Sequence, residues 1–156
     1  MQLLRARDVV MQRFRPYLRK QGLTDQQGRI LRVLAESDPL EMSELAVRTS
    51  IHPASLSRIV PRLHRRGIVS RWKVDADARR VVVAITKRGL TILEPVIHAS
   101  ERIYADLAAA LGPGRWRELH RCLDLLIRLG GEDGEMAPAA RRRLRGNGAA
   151  ASHSDP

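Results

Sequence analysis

Cysteine is almost missing from this 156-residue chain. The one thiol, Cys122, has no partner for an intramolecular disulfide and no cysteine or histidine beside it at a zinc-binding spacing, so neither crosslink holds the fold. No apolar run reaches the ~18 residues that a membrane span needs, and no charged-then-apolar leader ending in small residues opens the chain. These absences are those expected of a cytoplasmic protein that makes no use of a membrane. Catalytic constellations are lacking too. There is no nucleophile with its base, no carboxylate pair, no phosphate-cradling glycine loop and no metal cluster; His98 and His120 stand alone on expected helices. The expectation is a non-enzyme with no catalytic residue, no metal and no cofactor.

Acid is the other shortage. Asp and Glu total 17 against 28 Lys and Arg, a balance of +11 that favours a polyanionic partner, nucleic acid or an anionic membrane. The charge is unevenly spread. Between Ile51 and Arg88 lie ten basic residues and only Asp75 and Asp77, so this stretch supplies +8 of the excess, whereas residues 131–156 are balanced. The length fits one domain with a tail, since single cores occupy ~100–200 residues.

Leu4, Met11, Phe14 and Leu18 recur at helical spacing, which predicts an amphipathic helix from Leu3 to about Lys20, closed by Gly22. Thr24 followed by Gln27 reads as a capping box that starts a second helix through Ile30, Leu31 and Leu34, ended by Asp38-Pro39. A short helix over 42–47 breaks at Thr49-Ser50-Ile51. Pro53 then opens a further helix whose apolar face is Leu56, Ile59, Val60 and Leu63, running up to Gly67. Two short helices across a tight turn form a helix-turn-helix. After Gly67 the period becomes two, with Ile68, Ser70, Trp72 and Val74 on one side and Arg71 and Lys73 on the other. Val81 to Ile85 reads as the partner strand, so residues 75–80 are the tip of a hairpin, the wing. Thr86 caps a long helix through Leu111 that carries Pro95, where a bend is expected. Gly112-Pro113-Gly114 separates it from a last helix with Trp116, Leu119, Cys122, Leu123, Leu126 and Ile127. The apolar surface of the first and last helices exceeds what a small core uses, which points to a homodimer interface. The fold class is therefore mostly α with a small β-hairpin. Residues 1–22 and 90–130 are expected to be dimerisation helices, 23–89 the winged DNA-binding region and 131–156 a disordered tail.

In such a fold the exposed face of the second helix enters the major groove of duplex DNA. Ser55, Ser57, Arg58 and Arg62 occupy that face, with Arg65, Arg71 and Lys73 flanking it. Arg58 is the first choice for a bidentate contact to guanine. The serines serve equally well as helix-start residues. At the wing tip Arg79, or else Arg80, is placed to reach a minor groove, with Asp77 holding the arginine.

Leu23-Thr24-Asp25-Gln26-Gln27, Leu45-Ala46, Ser55-Leu56 through Arg62-Leu63, Arg66-Gly67-Ile68-Val69 and Ile85-Thr86-Lys87-Arg88-Gly89 together resemble the MarR family of bacterial regulators over about residues 3–130. Leu4 to Asp8, Phe14-Arg15-Pro16 and Gln26-Gln27 before Arg29-Ile30-Leu31-Arg32 are most similar to its regulators of homoprotocatechuate degradation. The resemblance implies an obligate homodimer with interlocked terminal helices and two wings straddling a palindromic operator, half-sites ~34 Å apart. It also implies repression relieved by a small ligand, commonly an aromatic acid.

Arg7 falls on the apolar stripe of helix one, where a desolvated guanidinium needs either an internal carboxylate or that of a ligand. Met11, Arg15, His52 and the gap at Gly28, where the family usually carries tryptophan, complete the expected slot for an aromatic carboxylic acid. Two rival readings share the fold or the charge. One is redox sensing through Cys122, against which its place on an apolar stripe argues burial. The other is non-specific architectural DNA binding.

Overall fold

The Thr24 hydroxyl accepts from the Gln27 amide at 3.2 Å, while the Gln27 side chain accepts from the Thr24 amide at 3.0 Å. This reciprocal pair satisfies two otherwise orphaned N–H groups and starts helix α2 (Asp25–Ala35). The computed structural model describes residues 1–37, 39–74 and 77–131; the side chains of Asp77, Ala78 and Arg79 are outside that description. Among the described residues there are six helices and three strands. The expectations for Asp38, for residues 75 and 76 at the hairpin tip and for the tail from residue 132 onward lie outside them.

Helix α1 (Gln2–Lys20) turns into α2 through Gly22, whose φ of +64° is the left-handed region that glycine enters without steric cost. Helices α3 (Met42–Thr49) and α4 (Pro53–Arg65) are joined by Ser50 in the left-handed conformation. Pro53 occupies the first turn of α4, and the His52 ring accepts from the Ala54 amide at 3.3 Å. Pro61 lies inside α4, and the helix continues through it to Arg65 before Gly67 leaves at φ +68°.

Strand β1 (Leu40–Glu41), β2 (Val69–Val74) and β3 (Asp77–Ile85) form an antiparallel sheet in the order β1-β3-β2. Val69 pairs with Ile85, Arg71 with Val83, and Leu40 of β1 with Val83 from the other edge. The two residues of β1 are too few to show a period. The expected alternation does not appear in β2: Ile68 and Val69 at its root are both buried, and Arg71, Trp72 and Lys73 are all exposed, Trp72 by 45%, so burial falls off along the strand instead of from face to face.

Ile30, Leu31, Leu34, Leu45, Leu56, Leu63, Ile68 and Val83 form the fully buried centre against which α2, α3, α4 and the sheet root pack. Thr86 then caps helix α5 (Lys87–Leu111), accepting from the Gly89 amide at 3.1 Å and donating to the Gly67 carbonyl at 2.8 Å. Helix α5 runs through Pro95. Residues 1–105 make one compact unit; a second begins at Asp106. Within the second, Gly112 turns at φ +78° into helix α6 (Pro113–Gly131), on which Leu119, Leu125, Leu126 and Ile127 are exposed.

Candidate nucleic-acid interface and ligand cavity

Leu56, Val60 and Leu63 are buried and fix which way α4 faces. The helical period then sends Ser57, Arg58, Arg62 and Arg65 outward, all exposed, with Ser55 half-buried at the edge. Ser57 donates to the Pro53 carbonyl at 3.0 Å, the back-bond of a helix-start serine. From β2, Arg71 lines the same cleft as Ser57 and Pro61 of α4, so the wing root and the reading helix share one surface. Lys73 follows on the exposed outer strand. Among the described residues no hydrogen bond or ion pair engages the side chains of Arg58, Arg62, Arg65, Arg71 or Lys73. Uncompensated cations converging on one face are what phosphate neutralisation requires.

Two basic residues of the region have other work. Arg80 is ion-paired to Glu41 of β1, and Arg66 donates to the Gly22 carbonyl at 3.0 Å, tying the end of α4 to the α1–α2 turn. Arg79, expected to lead at the wing tip, has its side chain outside the described residues.

Inside the first unit, α1, α2 and α5 enclose a cavity of about 200 Å³. Val10, Met11, Phe14 and Leu18 of α1 and Val96 of α5 make its apolar walls, with Tyr104 stacked at a tilt on Phe14, ring centroids 5.5 Å apart. The ionic groups all come from one stripe of α2: Asp25, Arg29 and Arg32 at i, i+4 and i+7, with Gly28 beside them. Asp25 accepts from Arg15 Nε at 3.2 Å, Arg29 Nη1 donates to the Thr49 carbonyl at 3.0 Å, and Arg32 Nη2 donates to Ser100 Oγ. The lining thus has an acidic residue at one end of the α2 stripe and two arginines toward the other.

Of the residues expected to hold a ligand, Met11 and Gly28 line this cavity; Arg7, Arg15 and His52 do not. The desolvation expected at Arg7 does not occur in the chain. Its side chain is 46% exposed and lies 3.4 Å from Asp8 Oδ1, because the stripe of α1 on which it sits turns to the surface ahead of Phe14. Arg15 bridges Asp8 and Asp25 outside the lining, and His52 caps α4. Gly28 leaves no gap either, since Leu18 Cδ2 occupies the place of a Cβ. Sequence reasoning missed Asp25, Arg29, Arg32 and Tyr104. The available signal was three ionisable residues on one stripe of a helix whose other positions, Ile30, Leu31 and Leu34, are core. Cys122 was expected to be buried and is exposed, its thiol 3.8 Å from Glu118; Leu126 and Ile127 of the same helix are exposed too, so no apolar shell forms around it within the chain.

A reading helix with a cation-bearing wing root beside it defines a winged helix-turn-helix DNA-binding protein. Residues 21–80 match the MarR family, and the chain is 35% identical over 136 residues to the homoprotocatechuate degradative operon repressor of Escherichia coli, covering 87% of this chain and 92% of that one. The chain belongs to the MarR family of transcription regulators. Its fold is similar to the crystal structure of NadR in complex with 4-hydroxyphenylacetate, with a TM-score of 0.71 and 35% identity over 80% of this chain and 89% of that one. It is also similar to the MosR regulator of M. tuberculosis solved in complex with DNA, with a TM-score of 0.70 and 28% identity over 83% and 93% of the two chains.

Proposed function

We propose that this regulator is a cytoplasmic repressor that binds a palindromic operator as a homodimer and is released by a small aromatic carboxylic acid held in the cavity between α1, α2 and α5. One observation carries the reading: an apolar slot in which a carboxylate, Asp25, and a guanidinium, Arg32, stand seven residues apart on one helix stripe, roughly 10 Å along its axis. A ring with a hydrogen-bond donor at one end and a carboxylate at the other matches that order of groups. Asp25 accepts from the donor, Arg32 binds the carboxylate as a planar fork, and Phe14 and Tyr104 cover the ring. The ligand 4-hydroxyphenylacetate, found in the related NadR structure, has this pattern, and the E. coli relative named for homoprotocatechuate degradation supports control of aromatic-acid catabolism.

Operator reading falls to residues 23–89, with Arg58 on bases and Arg62, Arg65, Arg71 and Lys73 on phosphates. The exposed Leu3 and Leu4 of α1, and Leu119, Leu125, Leu126 and Ile127 of α6, support a second copy as partner, so residues 1–22 and 90–130 serve dimerisation. The test is a thermal-shift screen of benzoic, hydroxybenzoic and phenylacetic acids, followed by operator release measured by fluorescence anisotropy. Stabilisation together with release supports the reading. A protein that binds operator and ignores every aromatic acid overturns the effector half of it, and equal affinity for the palindrome and bulk DNA overturns the operator half.

A further inference from the structure

Helix α3 ends in the turn that launches α4, and that turn is held from outside. Of its terminal carbonyls, that of Val47 accepts from the Ser50 amide at 3.1 Å and that of Ala46 from the Ile51 amide at 3.2 Å. The Thr49 carbonyl is reached by Arg29 of α2, Nη1 donating at 3.0 Å in a partly buried setting. Immediately after it Ser50 sits at φ +49°, a conformation disfavoured for a residue with a Cβ, and Ile51 is buried two residues before α4 begins. The arginine that caps this strained turn also lines the cavity together with Arg32.

We infer that the bond from Arg29 to the Thr49 carbonyl is the latch through which occupancy of the cavity reaches the reading helix, an inference that rests on the effector reading above. A carboxylate entering beside Arg32 offers Arg29 a charged acceptor, and a charge-assisted hydrogen bond is stronger than one to a neutral carbonyl. Once Arg29 turns to the ligand, the Thr49 carbonyl is unsatisfied in a partly buried place. It recovers a partner by opening to water, which releases the left-handed Ser50 and lets the start of α4 shift. The two acceptors compete for one placement of the guanidinium, so ligand and operator weaken each other's binding by the same factor. Arg29 is on this account a positioning residue for α4, with no need to touch DNA.

The test is amide hydrogen exchange at Ser50 and Ile51 with operator affinity measured in parallel, using 4-hydroxyphenylacetate as probe and calorimetry to establish that it binds. In the wild-type protein saturating probe speeds exchange at both amides. Arg29→Met shows fast exchange without probe and operator affinity lowered about tenfold, the scale of losing a hydrogen bond to a charged group. Arg29→Lys, which keeps a donor, restores slow exchange and most of the affinity, and its recovery guards against a general folding defect in Arg29→Met, which has none. Probe that binds by calorimetry and leaves both amides unchanged overturns the latch while the effector reading stands. Absence of any binding overturns 4-hydroxyphenylacetate as the effector, and the Arg29 variants then decide the latch. Arg29→Met with wild-type exchange and wild-type affinity overturns the latch whatever the probe does.

Discussion

Arg80 of β3 reaches across to Glu41 of β1, and its Nε, at 3.1 Å, and its Nη2 both meet the same carboxylate oxygen. The pair joins the wing to the strand edge opposite β2, so this arginine, counted by sequence among the DNA-contacting cations, has a local anchor. Both side chains are substantially exposed, and exposed pairs contribute under about 1 kcal/mol. Arg80→Ala is therefore expected to lower stability by less than that, measured by urea unfolding. It is also expected to weaken operator binding less than Arg71→Ala, since Arg71 has no such partner among the described residues and lines the α4 cleft. An Arg80→Ala loss equal to that of Arg71→Ala would show that the ion pair opens on DNA.

Arg58 and Arg65 stand on the outward side of α4, with different expected roles. Arg58→Ala is expected to cost ~1–3 kcal/mol on the operator and little on a scrambled duplex, because a base contact carries sequence information. Arg65→Ala is expected to weaken both duplexes alike and to reduce the slope of log K against log salt by about 1, the signature of one phosphate. Anisotropy titrations at several salt concentrations separate the two.

The helices, the capping box at Thr24, the break at Ser50 and the pairing of β2 with Val81 to Ile85 were legible because each is specified locally, by period or by cap chemistry; residues 77–80, expected in the hairpin tip, belong instead to β3, where Val74 pairs with Asp77 across a register shift. Strand β1 was not, since two residues carry no period and their strand state comes from pairing with Val82 and Val83 forty residues away. The reading face of α4 followed from its apolar stripe. The cavity did not: Arg7 satisfies the helical spacing as well as Met11 does, and only the packing shows that the buried part of α1 begins near Phe14. Gly28 looked like a gap because a sequence cannot show that Leu18, ten residues earlier, folds back into it.

Gly89, in the first turn of α5, is required by close approach. A Cβ there would overlap the Ile68 carbonyl oxygen and lie 2.7 Å from Ile85 Cγ1, so backbone would have to move. Gly89→Ala is expected to destabilise by ~1–3 kcal/mol in chemical denaturation, the usual cost of overpacking. Gly114 in α6 has nothing within 4 Å of the same position. Gly114→Ala is expected to be neutral or to stabilise by up to about 1 kcal/mol through helix propensity.

Arg7 and Arg32 divide the two accounts of effector binding. Arg7 is exposed against Asp8, whereas Arg32 lines the cavity and is held on Ser100 of α5. Arg7→Ala is expected to leave operator release by 4-hydroxyphenylacetate within about twofold of wild type, the small effect usual for an exposed ion pair. Arg32→Ala is expected to raise the concentration needed for release by a factor on the order of 10 or more, the loss of a charge-assisted pair. It should keep operator affinity, since its partner Ser100 also donates to the Ile97 carbonyl at 2.7 Å and stays satisfied.

Leu18 and Gly28 are coupled by space, and the coupling has a measurable sign. Leu18 is buried, and Leu18→Ala is expected to cost ~2–5 kcal/mol by leaving a cavity. Gly28→Ala alone places a methyl group onto Leu18 Cδ2, the far end of a flexible side chain, so Leu18 must leave its rotamer and part of the ~1 kcal/mol gained in helix propensity is lost. In the Leu18→Ala background the methyl group enters vacated space and the whole propensity gain is realised. The double variant is therefore expected to be more stable than the sum of the single changes, by about 0.5 kcal/mol or more in a double-mutant cycle. Strict additivity would mean that Leu18 does not occupy the space behind Gly28 in solution, and that the slot is open there to a larger ring.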